Sequence, residues 1–178
     1  MVISLTITLP LALRKVLYVS SRLTPVLIFC LINLNPYHNF YITLCAEFFM
    51  SLDDIGLITY KTSKILGGAI FMLEKLLSYG SYMEFGHIIP LIIGVCTYSM
   101  LRYVYPRSDF TNLLYMAITA NWLIKIACLF MSQTISLVTL LGAIIYFVTD
   151  FDVAMYDCGI FGAYLLPAYY TGLYMLTY

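Results

Sequence analysis

The sequence contains few charged residues. Only 10% of its 178 residues are charged, whereas 62% are hydrophobic. A soluble domain carries about 25% charged residues, so this chain has too few to cover a water-facing surface. The 9 basic residues only balance the 9 acidic ones, which leaves no basic excess for neutralising nucleic-acid phosphates. We therefore expect an integral membrane protein with no DNA or RNA partner.

The usual sequence signatures of metal and haem sites are also missing. The 5 cysteines and 2 histidines show neither CxxC spacing nor clustering, which are typical of zinc and haem sites. A GxSxG sequence, which would mark a serine nucleophile on a sharp turn, is absent too. The sequence predicts no metal and no cofactor.

Long apolar stretches dominate what remains. A helix needs about 20 apolar residues to cross the hydrocarbon core, and Pro, Gly, Asn and charged residues divide the chain into about eight such stretches. We predict an all-α, polytopic transmembrane helical bundle forming a single domain over residues 1–178, because no long polar insertion interrupts it. The predicted cores are Met1–Leu13, Leu23–Leu34, Phe40–Tyr60, Ile65–Tyr82, Phe85–Leu101, Phe110–Met131, Thr134–Val148 and Cys158–Tyr178.

Basic residues predict the orientation, since short cytoplasmic loops collect Lys and Arg. In an alternating path, the basic residues of the predicted loops all fall on one side of the membrane. They are Arg14, Lys15, Arg22, Lys61, Lys64, Arg102 and Arg107. That side is predicted to be cytoplasmic, and both termini are then predicted on the non-cytoplasmic side.

Acidic residues inside predicted membrane segments indicate a functional site, because each costs roughly 2.5–3.5 kcal/mol to insert. Asp54 and Asp150 fall at similar depth near the cytoplasmic side, and we expect them to share one cavity. Two neighbouring acids raise each other's proton affinity, so that one stays protonated and the other ionised. This division suits general acid and base catalysis. Asp53 should turn aside toward Arg22, Lys61 or a neighbouring helix.

A second set of charges lies nearer the other side of the membrane. Glu47, Lys75 and Lys125 fall at similar depth, and we interpret them as structural ion pairs. Such pairs lower the cost of inserting charge and fix the register between helices.

Several segments resemble the lysoplasmalogenase-like (YhhN) family of membrane proteins. The stretch from Gly142 to Asp150, followed by a last helix with Tyr169 and Tyr170, is similar to that family's C-terminal signature. The helix around Asp54 resembles its Gly-Asp step, and Arg22 stands where the family has a lysine opening helix two. The order of these segments matches over nearly the whole chain.

The resemblance implies a lipid hydrolase that cleaves the vinyl-ether bond of lysoplasmalogens, the alkenylglycerophosphocholines and -ethanolamines, and releases a fatty aldehyde. Asp54 and Asp150 would be catalytic, and Arg22, Tyr169 and Tyr170 would bind the lysophospholipid substrate within the bilayer.

The chain departs from the family pattern at three positions: Asp53 replaces glycine, Lys75 lies near a usual histidine, and Leu173 replaces glutamine. Two alternatives stay open, one suggested by these departures and one by the intramembrane charges. One is a non-enzymatic membrane or interaction protein of the same fold. The other is a proton-coupled transporter, because intramembrane acids and lysines also serve proton relays.

Overall fold

The computed structural model describes residues 11–79, 88–156 and 162–178. Every regular element within these ranges is helical, as predicted. The described ranges contain seven α-helices and one short 3-10 turn, Gly162–Tyr164. The α-helices are α1 (Leu11–Ile32), α2 (Phe40–Ser51), α3 (Tyr60–Leu77), α4 (Ile88–Val104), α5 (Phe110–Met131), α6 (Leu137–Tyr156) and α7 (Leu165–Met175).

Three of the described helices are long and apolar enough to cross a membrane. They are residues Leu13–Ile32 of α1, together with α5 and α6. Helices α2 and α7 contain only 12 and 11 residues. At 1.5 Å per residue they extend about 18 and 17 Å, which is less than the hydrocarbon thickness of about 30 Å.

The first two predicted cores are corrected by α1. Residues 1–10 of the first core lie outside the described residues. From Leu11 onward, one 22-residue helix runs through Arg14, Lys15 and Arg22, where a loop had been predicted. Pro25 also lies inside this helix. The prediction of a non-cytoplasmic N-terminus assumed a separate first span before Arg14, and within the described residues α1 does not support that assumption.

The third predicted core is also shorter than expected. Helix α2 ends at Ser51, and Gly56 then adopts a φ of +80°, a left-handed conformation that glycine tolerates at little cost. Its N–H donates to the Asp53 carbonyl at 2.9 Å. The chain thus turns before α3 instead of continuing as helix to Tyr60.

Polar contacts show which helix ends lie together. At one end, Arg22 of α1 meets Asp54 after α2 at 3.2 Å, and Asn112 of α5 donates to the Ala154 carbonyl of α6 at 2.9 Å. Helices α1, α3, α5 and α7 begin at this end, and α2, α4 and α6 end here. We call it the basic end, because it carries the basic residues of the predicted cytoplasmic loops: Arg14, Lys15, Arg22, Lys61, Lys64, Arg102 and Arg107.

The opposite end is tied together by Asn35, in the turn between α1 and α2. Its amide donates to the Tyr79 hydroxyl at 3.2 Å and to the Leu176 carbonyl at 2.9 Å. These bonds join the ends of α1, α3 and α7. Lys125 of α5 reaches the same region and donates to the Leu76 carbonyl at 3.1 Å.

The distribution of side chains is the reverse of that in a soluble protein. Large apolar residues are exposed, including Leu31 at 77%, Tyr103 at 88% and Met131 at 82%. Several charged residues, by contrast, are enclosed, including Glu74 at 0% and Asp152 at 0% exposure. A surface of this kind is suited to lipid, because apolar side chains facing hydrocarbon lose nothing by exposure.

Helices α6 and α7 are in close contact through glycines. A Cβ added at Gly142 would lie 2.8 Å from the Gly172 carbonyl oxygen and 2.6 Å from Cβ of Met175. A Cβ at Gly172 would lie 3.0 Å from the Gly142 carbonyl oxygen. Small residues commonly permit this approach in membrane helices. The contact fixes Asp150 on α6 relative to Tyr169 on α7.

Candidate functional site

A partly open cavity of about 480 Å³ lies among the helices in the half of the described structure nearest the basic end. Its size falls within the range of about 300–1,000 Å³ typical of small-molecule sites. Apolar atoms form most of its wall. The lining side chains with ionisable or hydroxyl groups are Tyr18, Arg22, Glu47, Lys64, Thr111, Tyr115, Thr149, Asp150 and Tyr169.

Arg22 organises one wall of the cavity. Its Nη2 lies 2.9 Å from Oε2 of Glu47, and its Nη1 lies 3.2 Å from Oδ2 of Asp54. The guanidinium group therefore holds two carboxylates from α2 and the turn that follows it. The Arg22 carbonyl oxygen also accepts a hydrogen bond from the Tyr170 hydroxyl at 2.9 Å, which ties α7 to α1.

Asp150 lies on a different wall and has a different partner. Its Oδ2 accepts a hydrogen bond of 2.5 Å from the Tyr115 hydroxyl of α5. Within the described residues, no basic group comes within 4.0 Å of this carboxyl group. The cavity therefore contains one carboxylate with a cationic partner, Glu47, and one carboxyl group with a neutral partner.

The predicted site residues are brought together only in part. Asp150, Arg22 and Tyr169 line the cavity, whereas Asp54 and Tyr170 are not among its lining residues. Asp54 reaches the site indirectly, because it shares Arg22 with Glu47. The expectation for Asp53 is confirmed: it turns aside to the neighbouring helix α3, where its Oδ1 accepts a hydrogen bond from the Ser63 hydroxyl at 3.2 Å, while Asp54 binds Arg22.

The predicted ionic grouping of Glu47 with Lys75 and Lys125 is wrong for Glu47. That carboxylate pairs with Arg22, which the sequence had placed in a loop. Lys75 pairs instead with its chain neighbour Glu74, at 3.0 Å between Nζ and Oε2. Lys125 donates to the backbone carbonyls of Leu76 and Ser78 at the C-terminal end of α3.

Lys75 and Glu74 belong to a second buried polar cluster that sequence reasoning missed. The Ser78 hydroxyl donates to Glu74 at 2.5 Å, and Nδ1 of His38 lies 3.2 Å from the same carboxylate oxygen. Burial lowers the pKa of His38 to about 4, although the nearby Glu74 carboxylate acts in the opposite direction. His38 is therefore neutral at pH 7.

Aromatic rings connect this second cluster with the cavity. Nζ of Lys75 lies 3.4 Å from the centroid of the Tyr146 ring and 4.1 Å from that of Trp122, so its charge is stabilised by cation–π contacts. The Tyr146 ring in turn contacts the Tyr169 ring, with centroids 5.0 Å apart. Tyr169 lines the cavity. The second polar cluster and the cavity are thus linked through the neighbouring rings of Tyr146 and Tyr169.

Neither of the hydroxyl side chains near the carboxylates is arranged as a nucleophile. Ser51 donates to the Glu47 carbonyl at 2.7 Å, and Thr149 donates to the Tyr146 carbonyl at 2.8 Å. Both hydroxyls bond to their own helix. In residues 11–79, 88–156 and 162–178, no three His, Cys, Asp or Glu side chains come together as a metal site.

The cavity therefore combines an apolar interior with two carboxyl groups in unlike environments, and it offers acid–base chemistry to an amphiphilic ligand. Comparison with protein-family models, with curated proteins and with solved structures finds no match to this chain.

Proposed function

We propose that this protein is a multi-pass membrane hydrolase that cleaves the vinyl-ether bond of lysoplasmalogens. The observation that carries the proposal is the placement of Glu47 and Asp150 on the wall of one largely apolar cavity. An alkenyl chain suits the apolar wall, and the two carboxyl groups suit acid-catalysed addition of water. The resemblance to the lysoplasmalogenase-like family supports the same activity.

The two carboxyl groups have different roles in this proposal. Glu47 is held as a carboxylate by the Arg22 guanidinium group at 2.9 Å, so it acts as the base that orients water. Asp150, whose partner is the Tyr115 hydroxyl, carries the proton and acts as the acid. Asp54 is a positioning residue, because it acts on Glu47 only through Arg22.

The reaction then balances as follows. Asp150 gives its proton to the outer vinyl carbon, which leaves an oxocarbenium ion on the carbon bonded to oxygen. The Glu47 carboxylate stabilises this cation and takes a proton from the water that attacks it. The resulting hemiacetal collapses to a fatty aldehyde and a glycerophospho alcohol. The proton that Glu47 took from water is then returned to Asp150. General acid catalysis of this kind contributes about 10²–10⁴-fold to a rate.

The proposal places the basic end at the cytoplasmic surface. Positive residues of short loops favour that side, and all seven basic residues of the predicted loops lie at or near this end. The C-terminus, which follows α7 at the opposite end, is then non-cytoplasmic. Substrate approaches from the bilayer, between helices, with its headgroup at the basic end.

The test is aldehyde release from lysoplasmenylcholine by the full chain in lipid nanodiscs. Asp150→Asn and Glu47→Gln should each reduce turnover at least 100-fold while leaving the protein folded. Asp109→Asn is the matched control, because Asp109 is exposed and makes no side-chain cap bond. Folded protein without turnover on lysoplasmalogens would refute the proposal.

A second candidate function is proton movement through the bundle. It is favoured by the buried His38–Glu74–Lys75 cluster, which is joined to the cavity by Tyr146 and Tyr169 and lies toward the opposite end. A proton flux into proteoliposomes that is lost in Glu74→Gln, with no aldehyde release, would favour this function over the hydrolase.

A further inference from the structure

Lys64 differs from the other cation of the cavity in having no acidic partner. It lies in the second turn of α3, and its half-buried side chain lines the cavity. Among the described residues, it forms no hydrogen bond and no ion pair. Arg22, by contrast, already binds Glu47 and Asp54. Of these two cations, Lys64 is therefore the one available to a ligand.

The position of Lys64 along α3 matches the polarity of a single-chain lipid. Phe71 and Met72 line the same cavity seven and eight residues further along the helix, about 10–12 Å deeper in the bundle. Between them and Lys64, Gly68 contributes no side chain, and a Cβ added there would meet nothing within 4 Å. The α3 wall is thus cationic at its outer end, open in the middle and apolar inside.

An ammonium group in a partly apolar cavity favours an anionic ligand, because charge-assisted hydrogen bonds are the strong ones. The two carboxyl groups of the cavity wall do not supply this anion to Lys64. Glu47 is held by Arg22, and among the described residues Asp150 has no basic group within 4.0 Å. We propose that Lys64 binds the phosphate of a single-chain phospholipid whose chain lies along Phe71 and Met72. This inference rests on the proposed function for the identity of the lipid, and it makes Lys64, rather than Arg22, the cation that contacts the phosphate.

The proposal is tested by binding rather than by turnover. The probe is an alkylglycerophosphocholine, whose ether bond is saturated and cannot be hydrolysed by proton addition to a vinyl carbon. Two further probes separate the sources of affinity: the matching alkylglycerol has the chain without phosphate, and glycerophosphocholine has the phosphate without the chain. Affinities are measured on the full chain in detergent by titration calorimetry.

Lys64→Met should weaken alkylglycerophosphocholine binding by about tenfold or more, because the hydrogen bond between the ammonium group and the phosphate is lost. Tenfold corresponds to about 1.4 kcal/mol. Lys64→Arg should retain binding, and alkylglycerol binding should not change in any variant. Lys61→Met is the matched control, because Lys61 is an exposed lysine on the same helix that does not line the cavity.

Four results would overturn the proposal: an unchanged affinity in Lys64→Met, an equal loss in Lys61→Met, an equal loss of alkylglycerol binding in Lys64→Met, or binding of glycerophosphocholine as tight as that of the full lipid. The last would indicate a site for a free phosphate ester instead of a lipid. Phosphate-dependent lipid binding without aldehyde release would support the role of Lys64 and refute the hydrolase. Aldehyde release with an unchanged KM in Lys64→Met would do the reverse.

Discussion

Replacing Gly142 with alanine tests whether the contact between α6 and α7 holds the site together. The added Cβ would lie 2.6 Å from Cβ of Met175 and 2.8 Å from the Gly172 carbonyl oxygen. Ordinary contacts of this kind are about 3.5–4.0 Å, so the helices must separate by roughly 1 Å. Part of the obstruction is backbone, which cannot rotate away as a flexible side chain could.

Overpacking of this kind costs about 1–3 kcal/mol. Alanine in a helix interior is intrinsically favoured over glycine by about 0.5–1 kcal/mol, so we expect a net loss of about 1–2 kcal/mol in the free energy of unfolding. The assay is equilibrium unfolding in mixed micelles, followed by circular dichroism. Separation of the helices should also move Tyr169 relative to Asp150 and reduce lipid binding.

Gly94→Ala provides the matched control. Its added Cβ would lie 3.8 Å from the Asn121 amide nitrogen, which is ordinary van der Waals contact, so this variant should be as stable as the parent or slightly more stable. If Gly142→Ala proved no less stable than Gly94→Ala, the close contact between α6 and α7 would not exist in the folded protein.

Three further predictions concern the cavity and the second polar cluster. Gly68→Leu should fill the cavity and weaken alkylglycerophosphocholine binding at least tenfold with little change in unfolding free energy, since a Cβ at this position meets nothing within 4 Å; unchanged affinity would place the ligand elsewhere. Lys75→Met should destabilise the protein by about 3–5 kcal/mol, because it leaves the Glu74 charge buried without its cation. Chemical denaturation should show a smaller loss of stability for the double variant Lys75→Met with Glu74→Gln than for Lys75→Met alone. His38 is neutral in the folded protein, because burial lowers its pKa to about 4 from 6.5. Its contribution to stability is therefore fully present above pH 6.5 and is lost as the pH falls toward 4. The free energy of unfolding should fall between pH 7 and pH 5, and this fall should be smaller in His38→Asn.

The sequence was most informative where apolar runs were long and uninterrupted. Helix α5 has the predicted bounds, Phe110–Met131. Helix α6 was predicted to end at Val148, yet it continues to Tyr156. The predicted end fell just before the acidic residues Asp150 and Asp152, but within the fold Asp150 meets the Tyr115 hydroxyl and the helix continues through it.

The site was harder to predict than the helices, because the partners of a charge depend on contacts between distant segments. Asp150 could be selected from the sequence, since an acid in an apolar helix requires a partner. Its pairing with Tyr115 had no signal among 17 tyrosines. Arg22 was predicted to lie in a loop, so its role in holding Glu47 and Asp54 could not be found. The approximate depth was predictable for Asp150 and Lys125 but not for Glu47, which lies beside Arg22 on the wall of the cavity. The rotation of each helix was not predictable.

The shortness of α2 and α7 has a consequence for the surrounding bilayer in the proposed orientation. These helices extend about 18 and 17 Å, and both pack against α1. Hydrophobic mismatch would therefore thin the bilayer locally or draw headgroups inward, at a cost of fractions of a kcal/mol per Å. Thinning there would bring water and lipid headgroups closer to the cavity. A single-chain lipid would then travel a shorter distance from the leaflet surface to Asp150. We expect the protein to prefer thin membranes, and its lipid affinity should fall as the acyl chains of the host bilayer are lengthened.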